Sequence, residues 1–221
     1  MIDSNNPEDN PARHFALHKP FGFISQFVTN HNKKRVLGEL YPFPEGTMAI
    51  GRLDEDSEGL LLLTTEGMMS EYIRSRKTEK EYYAQLDGLV SNEALERLRK
   101  GVEIGVRNVK YQTMPCKANK IEPVPNFPPR SKKIRDDRHG PTSWVSVILK
   151  EGKLRQVRKM TAAVGFPTLR LIRIRIGDIT LDSLPSGEVV ELKNLSVPEE
   201  FRKIASLTKE LQKGTAMVEE E

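Results

Sequence analysis

The segment GRLDEDSEGLLLLTTEG, from Gly51 to Gly67 in the first third of the chain, begins with an acidic turn. This turn contains the residues best placed for chemistry. Asp54, Asp56 and Glu58 alternate along the turn, and an apolar run follows them at once. Carboxylates spaced in this way can bind Ca²⁺, decorate a solvent-exposed turn, or present one ionised oxygen for nucleophilic or electrostatic catalysis. Each of these three interpretations requires different residues around the turn.

The calcium interpretation is excluded by the residues that follow. In an EF-hand loop that starts at Asp54, position twelve must be a glutamate that binds the ion with both oxygens, but that position is Thr65. An EF-hand also requires a helix on each side of the loop, whereas Leu60–Leu63 and the threonines after it are typical of a buried strand. The acidic turn is therefore not an EF-hand.

The surface-turn interpretation accounts for most of the acids. Acidic residues and glycines such as Gly59 are common in exposed turns, where they are well tolerated and stay hydrated. This interpretation does not account for Arg52, which precedes Asp54 by two positions and lies among apolar residues. The third interpretation, a single catalytic carboxylate, therefore stays open.

The acidic turn also resembles the signature of a known enzyme family, the RsuA-type pseudouridine synthases, whose pattern is G-R-L-D-x-x-[ST]-x-G-L-L-[LIV]-L-T-[NT]-[DNE]-G. Three further segments resemble the other motifs of that family in the same order: HKPFGFIS at His18–Ser25, KEYYAQLDG at Lys80–Gly88, and EGKLRQVRKMTAAVG with its following strand at Glu151–Leu181. The resemblance spans roughly residues 14–195. It is closest to the RluE-type members, which are short and act on large-subunit rRNA.

This resemblance implies an enzyme that isomerises a specific uridine of large-subunit (23S) rRNA to pseudouridine. The base leaves C1′ through N1 and returns through C5, so the balance of atoms requires no cofactor, and we expect neither a cofactor nor a metal. By the family pattern Asp54 is the catalytic carboxylate, Arg158 is its ion-pair partner, and Tyr82 stacks on the flipped-out base. The expected substrate-binding residues are Arg52, Lys80, Arg155, Gln156, Val157 and Lys159.

The elements that must position these residues predict an α+β protein. Strands and helices alternate without a regular βαβ order, which favours an α+β class with a largely antiparallel sheet. The resemblance implies the pseudouridine-synthase fold, a mixed, mostly antiparallel central sheet flanked by helices. The buried strand that begins at Leu60 is expected to anchor the acidic turn and aim Asp54. A helix is predicted over KLRQVRKMTAAVG, on which Arg155, Arg158 and Lys159 share one face by their spacing. A second helix is predicted to begin after the N-cap Ser91.

Composition sets limits on the class of protein. The 221 residues are 37% hydrophobic, carry a net charge of +4 and include one cysteine, which excludes an internal disulfide framework and a multi-cysteine zinc site. No run approaches the roughly 20 apolar residues that span a bilayer, and the N-terminus lacks the apolar core of a secretory signal. We expect a cytoplasmic, monomeric protein without membrane contacts.

Basic residues indicate where RNA would bind. The stretch from Lys150 to Arg175 is rich in lysine and arginine and holds a single acid, Glu151, so we expect it to contact phosphates. The Pro-rich loop 123–141 is long enough to be functional or mobile. It carries further basic residues, Lys132, Lys133, Arg135 and Arg138.

The domain prediction is a polar, disordered tail over 1–13, a catalytic domain over 14–195 and a helical, acidic extension over 196–221. Many family members carry an N-terminal S4 RNA-binding domain, but only about a dozen polar residues precede the first motif, so RNA capture is expected to rest on the catalytic domain. Two alternatives stay open. One is the same chemistry on small-subunit rRNA or tRNA, and the other is a non-catalytic RNA-binding or ribosome-assembly protein that retains the fold.

Overall fold

The computed structural model describes residues 11–75, 78–134, 139–193, 195–199 and 202. Most of the predicted N-terminal tail and most of the predicted C-terminal extension lie outside these ranges, as do Arg135 and Arg138. The described start of the extension packs against the body, because Val197 is buried and Arg202 pairs with Glu66 at 2.8 Å. No helix among the described residues has the length and apolarity that crossing a membrane requires.

The described strands and helices alternate irregularly along the chain. The helices are α1 (Gly67–Ser75), α2 (Asn92–Lys100) and α3 (Gln156–Ala163), and a short 3₁₀ helix covers Leu37–Glu39. The strands are β1 (His14–Lys19), β2 (Met48–Ile50), β3 (Glu58–Thr64), β4 (Lys80–Asp87), β5 (Glu103–Val106), β6 (Val109–Gln112), β7 (Lys117–Lys120), β8 (Thr142–Leu149), β9 (Thr168–Ile176), β10 (Ile179–Thr180) and β11 (Val189–Glu191).

Nine of these strands form one mixed sheet in the order β11-β1-β3-β9-β4-β8-β7, with β2 paired to β3 and β10 paired to β9. The pair β3–β9 is parallel, and the other pairs in the described sheet are antiparallel. β5 and β6 form a separate hairpin. The predicted α+β class with a mostly antiparallel sheet is confirmed.

The apolar run of β3 is continuous because both faces of this central strand are covered. Leu60 and Leu62 pack into one core cluster with Met69 of α1, whereas Leu61 and Leu63 pack into another on the opposite face. Every residue of β3 is buried. The strand is therefore a fixed base for the acidic turn that precedes it, as the sequence predicted.

Helix α2 forms as its sequence predicts. The Ser91 hydroxyl accepts a hydrogen bond from the Ala94 amide at 3.2 Å and caps the first turn. Ala94, Leu95 and Leu98 are buried, and the helix ends at Gly101, whose φ of +89° suits glycine.

Helix α3 begins later than predicted, at Gln156, and this changes which residues share a face. Arg155 precedes the helix in the left-handed conformation, with φ of +54°. Arg155, Arg158 and Lys159 therefore do not share one helical face, because the i, i+3, i+4 rule applies only to residues inside the helix. The physical reason is the turn before α3, which is closed by a hydrogen bond from the Gln156 amide to the Lys153 carbonyl at 3.1 Å.

The long loop before β8 packs against the body at Phe127 and Pro128. Phe127 packs edge-on against Tyr83 and lies 5.7 Å from the Trp144 ring centroid, and Arg170 donates to the Pro128 carbonyl at 3.0 Å. Lys132 and Lys133 are exposed. This part of the loop covers the sheet face that carries Trp144, which is a structural role.

The parallel contact between β3 and β9 requires glycine at position 59. Gly59 has φ of +104°, and a Cβ there would lie 2.3 Å from the Arg173 carbonyl oxygen and 2.6 Å from its amide nitrogen. Both contacts are to backbone, so a side-chain rotation cannot relieve them. The start of β3, and hence the end of the acidic turn, lies this close to β9 only because Gly59 lacks a side chain.

We predict that Gly59→Ala destabilises the fold by at least about 2 kcal/mol, because alanine adds both backbone strain and a clash with β9. Urea unfolding measures this change. Gly67→Ala is the matched control, since its Cβ meets nothing within 4 Å and its φ is not in the left-handed region. Equal stability of Gly59→Ala and Gly67→Ala would contradict the packing argument.

Candidate active site

A cleft of about 420 Å³ opens beside the acidic turn. Five segments contribute to its lining: the turn from Ile50 to Ser57, the end of α1, strand β4, the connection from β8 into α3, and strand β9. Asp54 and Tyr82 both line this cleft, so the structure brings together two of the three residues that the sequence predicts to be catalytic. No group of three His, Cys, Asp or Glu residues in the described part of the chain is placed to hold a metal ion.

Asp54 is held in place through the backbone on both sides of it. The Ser25 hydroxyl donates to the Leu53 carbonyl at 2.8 Å and accepts from the Leu53 amide at 2.9 Å. The Gly22 amide donates to the Glu55 carbonyl at 2.8 Å. The segment HKPFGFIS therefore braces the acidic turn, which explains physically why these two motifs occur together. The Asp54 side chain itself is 29% exposed and faces the cleft.

Arg155 is the cation nearest to the Asp54 carboxylate among the ion pairs of the described residues. Its Nη1 lies 3.6 Å from Asp54 Oδ2, while its two terminal nitrogens donate to the Asp56 carboxylate at 2.9 and 2.8 Å. Burial alone would raise the pKa of Asp56, but the hydrogen bonds from Arg155 and the charge of Arg158 lower it below its ordinary value. Asp56 thus anchors Arg155 beside Asp54.

Arg158 occupies a different place from the one predicted. Its Nη2 donates to the Asp56 carbonyl at 2.8 Å and lies 3.6 Å from the Asp56 carboxylate, and its Nη1 donates to the Thr168 carbonyl at 3.2 Å. Asp54 and Arg158 are not among the ion pairs within 4 Å of the described residues, although the charge of Asp54 acts on Arg158 and raises its pKa against the larger effect of burial. Because α3 starts at Gln156, Arg158 lies within the first turn of the helix and reaches the backbone of the acidic turn. Burial lowers the pKa of Arg158, and its Nε has no partner there.

The other predicted substrate-binding residues separate into two groups. The first group lines the cleft and consists of Arg52, Lys80, Arg155, Gln156 and Val157. The side-chain amide of Gln156, however, is hydrogen-bonded to the loop before α3. Its Oε1 accepts from the Lys153 amide at 2.9 Å, and its Nε2 donates to Glu151 at 2.6 Å.

Lys159 lies outside the cleft lining. Its Nζ donates to the Gly105 carbonyl of β5 at 2.7 Å, so the structure gives it a contact with the separate hairpin. The helix start at Gln156 is again the reason, because it turns Lys159 away from the side that carries Arg155.

The structure adds Arg173, which sequence analysis counted only as part of a basic stretch. This residue lines the cleft, is 3% exposed, and donates from Nε to the Leu60 carbonyl at 2.7 Å. Its guanidinium lies 6.0 Å from the Tyr82 ring centroid. Burial and the charge of Arg173 together lower the pKa of Lys80. No sequence signal distinguishes Arg173 from its neighbouring arginines on β9.

The cleft combines an apolar wall with a charged rim. Leu171, Ile176 and Val157 line the interior together with Tyr82, which suits a flat aromatic ring. The charged rim consists of exposed cations at the mouth: Arg52, Arg74, Lys150, Lys153 and Arg155. This arrangement can bind a polyanion outside while it holds one planar group beside the Asp54 carboxylate.

Lys19 is fully buried next to this site and has a structural role. Its Nζ donates to the Pro20 carbonyl at 2.9 Å and the Phe23 carbonyl at 2.6 Å, which closes the turn that braces Asp54. Burial lowers the pKa of Lys19 from 10.5 to about 8, against the opposing charges of nearby acids, of which Glu58 is the strongest.

The lowered pKa of Lys19 predicts a measurable pH dependence of stability. Between about pH 8 and 10.5 the unfolded chain keeps the Lys19 proton while the folded chain releases it, so the unfolded state binds more protons. Stability therefore rises with pH across this window, by up to about 3 kcal/mol from this residue. The free energy of unfolding of wild type minus that of Lys19→Met is expected to increase accordingly.

Urea unfolding of both proteins at several pH values measures this difference. Lys193→Met is the control, because Lys193 is exposed, and its difference from wild type should stay flat across the same window. A flat difference for Lys19→Met as well would contradict the assignment of a buried, charged Lys19.

The comparisons with known proteins point to one family. Residues 13–163 match the model of a family described as RNA pseudouridylate synthase. A protein named ribosomal large subunit pseudouridine synthase E from Xanthomonas axonopodis pv. citri is 41% identical over 191 residues, which are 85% of this chain and 98% of that protein. A protein of the same name from Vibrio parahaemolyticus is 39% identical over 80% of this chain and 72% of its own length.

The fold has a close counterpart among solved structures. A crystal structure of a pseudouridylate synthase superposes with a TM-score of 0.65 and 29% sequence identity, covering 87% of this chain and 74% of that one. The fold therefore has the architecture of a solved pseudouridylate synthase.

Proposed function

The chain belongs to the RNA pseudouridylate synthase family, and from this membership we propose that its cleft isomerises a specific uridine of large-subunit (23S) rRNA to pseudouridine. The relatives named as large-subunit enzymes support the choice of RNA. The observation that carries the proposal is the position of Asp54, whose carboxylate faces a cleft lined by Tyr82 and apolar side chains, 3.6 Å from Arg155.

RNA binding begins at the charged rim. Its cations contact backbone phosphates, and these contacts offset the few kcal/mol needed to flip a uridine out of its stack. The flipped uracil then enters the cleft, where Tyr82 stacks on it and Val157 packs against it. Arg52, exposed at the mouth, contacts the strand from which the base has left.

Asp54 supplies the carboxylate that acts on the bound nucleotide, at the ribose C1′ or at the base. One bond from C1′ to N1 breaks, one bond from C1′ to C5 forms, and one hydrogen moves from C5 to N1, so the reaction consumes no other reactant. Arg155 holds positive charge beside Asp54. Arg158 donates a hydrogen bond to the Asp56 carbonyl and so holds the acidic turn in place. Its contribution is therefore to position Asp54.

We predict that Asp54→Asn lowers the rate of pseudouridine formation by at least about 10³-fold while RNA affinity stays within a few-fold of wild type. Asparagine keeps the size of the side chain but removes the charge that the chemistry needs. Glu55→Gln is the matched control, because Glu55 belongs to the same turn but pairs with Lys34 and does not line the cleft. Full activity of Asp54→Asn would refute the assignment.

A map of pseudouridines in total RNA distinguishes the proposed function from its alternatives. Cells that lack this gene are compared with cells complemented by wild type or by Asp54→Asn. Loss of one pseudouridine in 23S rRNA, restored only by wild type, is the expected result. A lost site in small-subunit rRNA or tRNA would correct the substrate, and an unchanged map would favour a non-catalytic RNA-binding protein.

The charged rim predicts strong salt dependence. If the four rim cations other than Arg155, which is paired with Asp56, each release a counterion from single-stranded RNA, affinity falls by about 50-fold between about 50 and 200 mM salt. Combining Arg74→Gln with Lys150→Gln should reduce the slope of log affinity against log salt by about 1.4. Lys193→Gln removes a charge that does not line the cleft and should leave the slope unchanged. Filter binding measures all three slopes, and a flat response of wild type would contradict the rim assignment.

The proposal extends to the state and place of the protein. The segments of one chain suffice to line the cleft, and we propose a monomer as the working form. An rRNA substrate in a bacterial relative supports action in the cytoplasm, where ribosomes are assembled.

A further inference from the structure

Arg173 has a hydrogen-bond donor that nothing in the described structure satisfies. Its Nη2 is buried and has no partner, although its Nε donates to the Leu60 carbonyl at 2.7 Å. Buried polar groups in folded proteins are nearly always hydrogen-bonded, and an orphaned donor on a charged side chain is therefore unusual. Because Arg173 also lines the cleft, the missing acceptor can come from a ligand.

The position of Arg173 is fixed rather than adaptable. Strand β9 lies between β3 and β4, and the residue is paired with Gly59 on one side and Tyr82 on the other. The bond from Nε to Leu60 and the close backbone contact at Gly59 leave the guanidinium little freedom to turn toward another acceptor. The Nη2 without a partner is thus a preorganised donor on a residue that lines the cleft.

Strand β9 carries two other arginines, and both have acidic partners. Arg170 forms a buried, two-bond ion pair with Glu58, and Arg175 donates to Glu81 and Glu79. Arg173 has no acidic partner among the ion pairs of the described residues. A register shift between β4 and β9 next to Tyr82 separates Arg173 from Arg175, so that only Arg173 lines the cleft.

We propose that Arg173 Nη2 donates a hydrogen bond to a carbonyl oxygen of the everted uracil, an inference that rests on the proposed function. The base is the part of a flipped nucleotide that enters deepest, whereas its phosphates stay with the strand at the charged rim. A residue that is only 3% exposed therefore meets the base. The Arg173 guanidinium lies 6.0 Å from the centre of the Tyr82 ring, within reach of a uracil that stacks on this ring.

This hydrogen bond strengthens as the reaction proceeds. If the N1–C1′ bond breaks first, its electron pair stays on the base and the negative charge spreads to O2 and O4. If the Asp54 carboxylate adds to C6 instead, the charge moves to O4. A guanidinium at O4 stabilises this charge in both routes, and a guanidinium at O2 stabilises it in the first route. The charge is absent from the bound substrate, so Arg173 acts on the rate more than on binding.

The test compares single-turnover rates on an RNA fragment that contains the target uridine. Arg173→Met should slow pseudouridine formation by about 10²-fold and leave RNA affinity within a few-fold, the pattern for loss of one donor to a developing charge. Arg175→Met is the matched control, since it removes a guanidinium from the same strand outside the cleft, and its rate should stay near wild type. Unfolding curves of both variants report any structural damage.

A chemical change in the RNA makes the test independent of stability. With 2-thiouridine or 4-thiouridine at the target position, sulfur replaces one carbonyl oxygen and accepts hydrogen bonds weakly. Wild type should lose rate on one of these two bases, and Arg173→Met should show little further loss on the same base. If Arg173→Met does not fold, Arg173→Lys replaces it, because lysine keeps the charge but cannot fill both donor positions.

Two outcomes overturn the inference. Equal effects of both thio-substitutions in wild type and variant would mean that Arg173 does not contact the base. A loss confined to RNA affinity, with a smaller salt slope and an unchanged rate, would assign Arg173 to a phosphate. Failure of the proposed function is distinct from both, because wild type itself would then form no pseudouridine.

Discussion

The close contact between the backbones of Gly59 and Arg173 is the constraint on which the candidate site depends. It joins β3 to β9 in parallel and leaves no room for a side chain at position 59. Asp54 is five residues before this contact, in the turn that leads into β3. Tyr82, on strand β4, is the register partner of Arg173 on β9. One tight backbone approach thus sets the distance between the carboxylate, the aromatic ring and the buried guanidinium.

The acidic residues of the turn have different structural roles. Glu58 is buried and compensated by two hydrogen bonds from Arg170, which locks the base of the turn to β9. Asp56 holds Arg155 and Arg158 at the start of α3. Because its neighbours satisfy these structural demands, Asp54 keeps an open side toward the cleft. A buried ion pair gives little net stability, but breaking one partner is costly, and here it fixes a unique geometry.

The comparison of prediction with structure shows where local pattern is sufficient. The buried strand at Leu60, the capped helix after Ser91 and the α+β class all followed from periodicity and capping, which depend on neighbours in sequence. The start of α3 could not be predicted in this way, because Arg155 adopts a left-handed conformation that the sequence pattern does not indicate. As a result Arg158 contacts Asp56 and Thr168, and Lys159 contacts Gly105 outside the cleft lining.

The sequence by itself determined the chemistry that the cleft can hold: a carboxylate at 54, an aromatic ring at 82 and a basic segment before α3, in the order of a known family. Only the tertiary structure decided which cation stands beside which carboxylate. In the structure Asp54 is paired with Arg155, and Arg158 is hydrogen-bonded to the backbone of the turn. One donor of Arg173 has no partner among the described residues. The physical reason is that ion pairs and buried donors depend on distances of a few ångströms between strands far apart in sequence, and spacing along the chain carries no information about them.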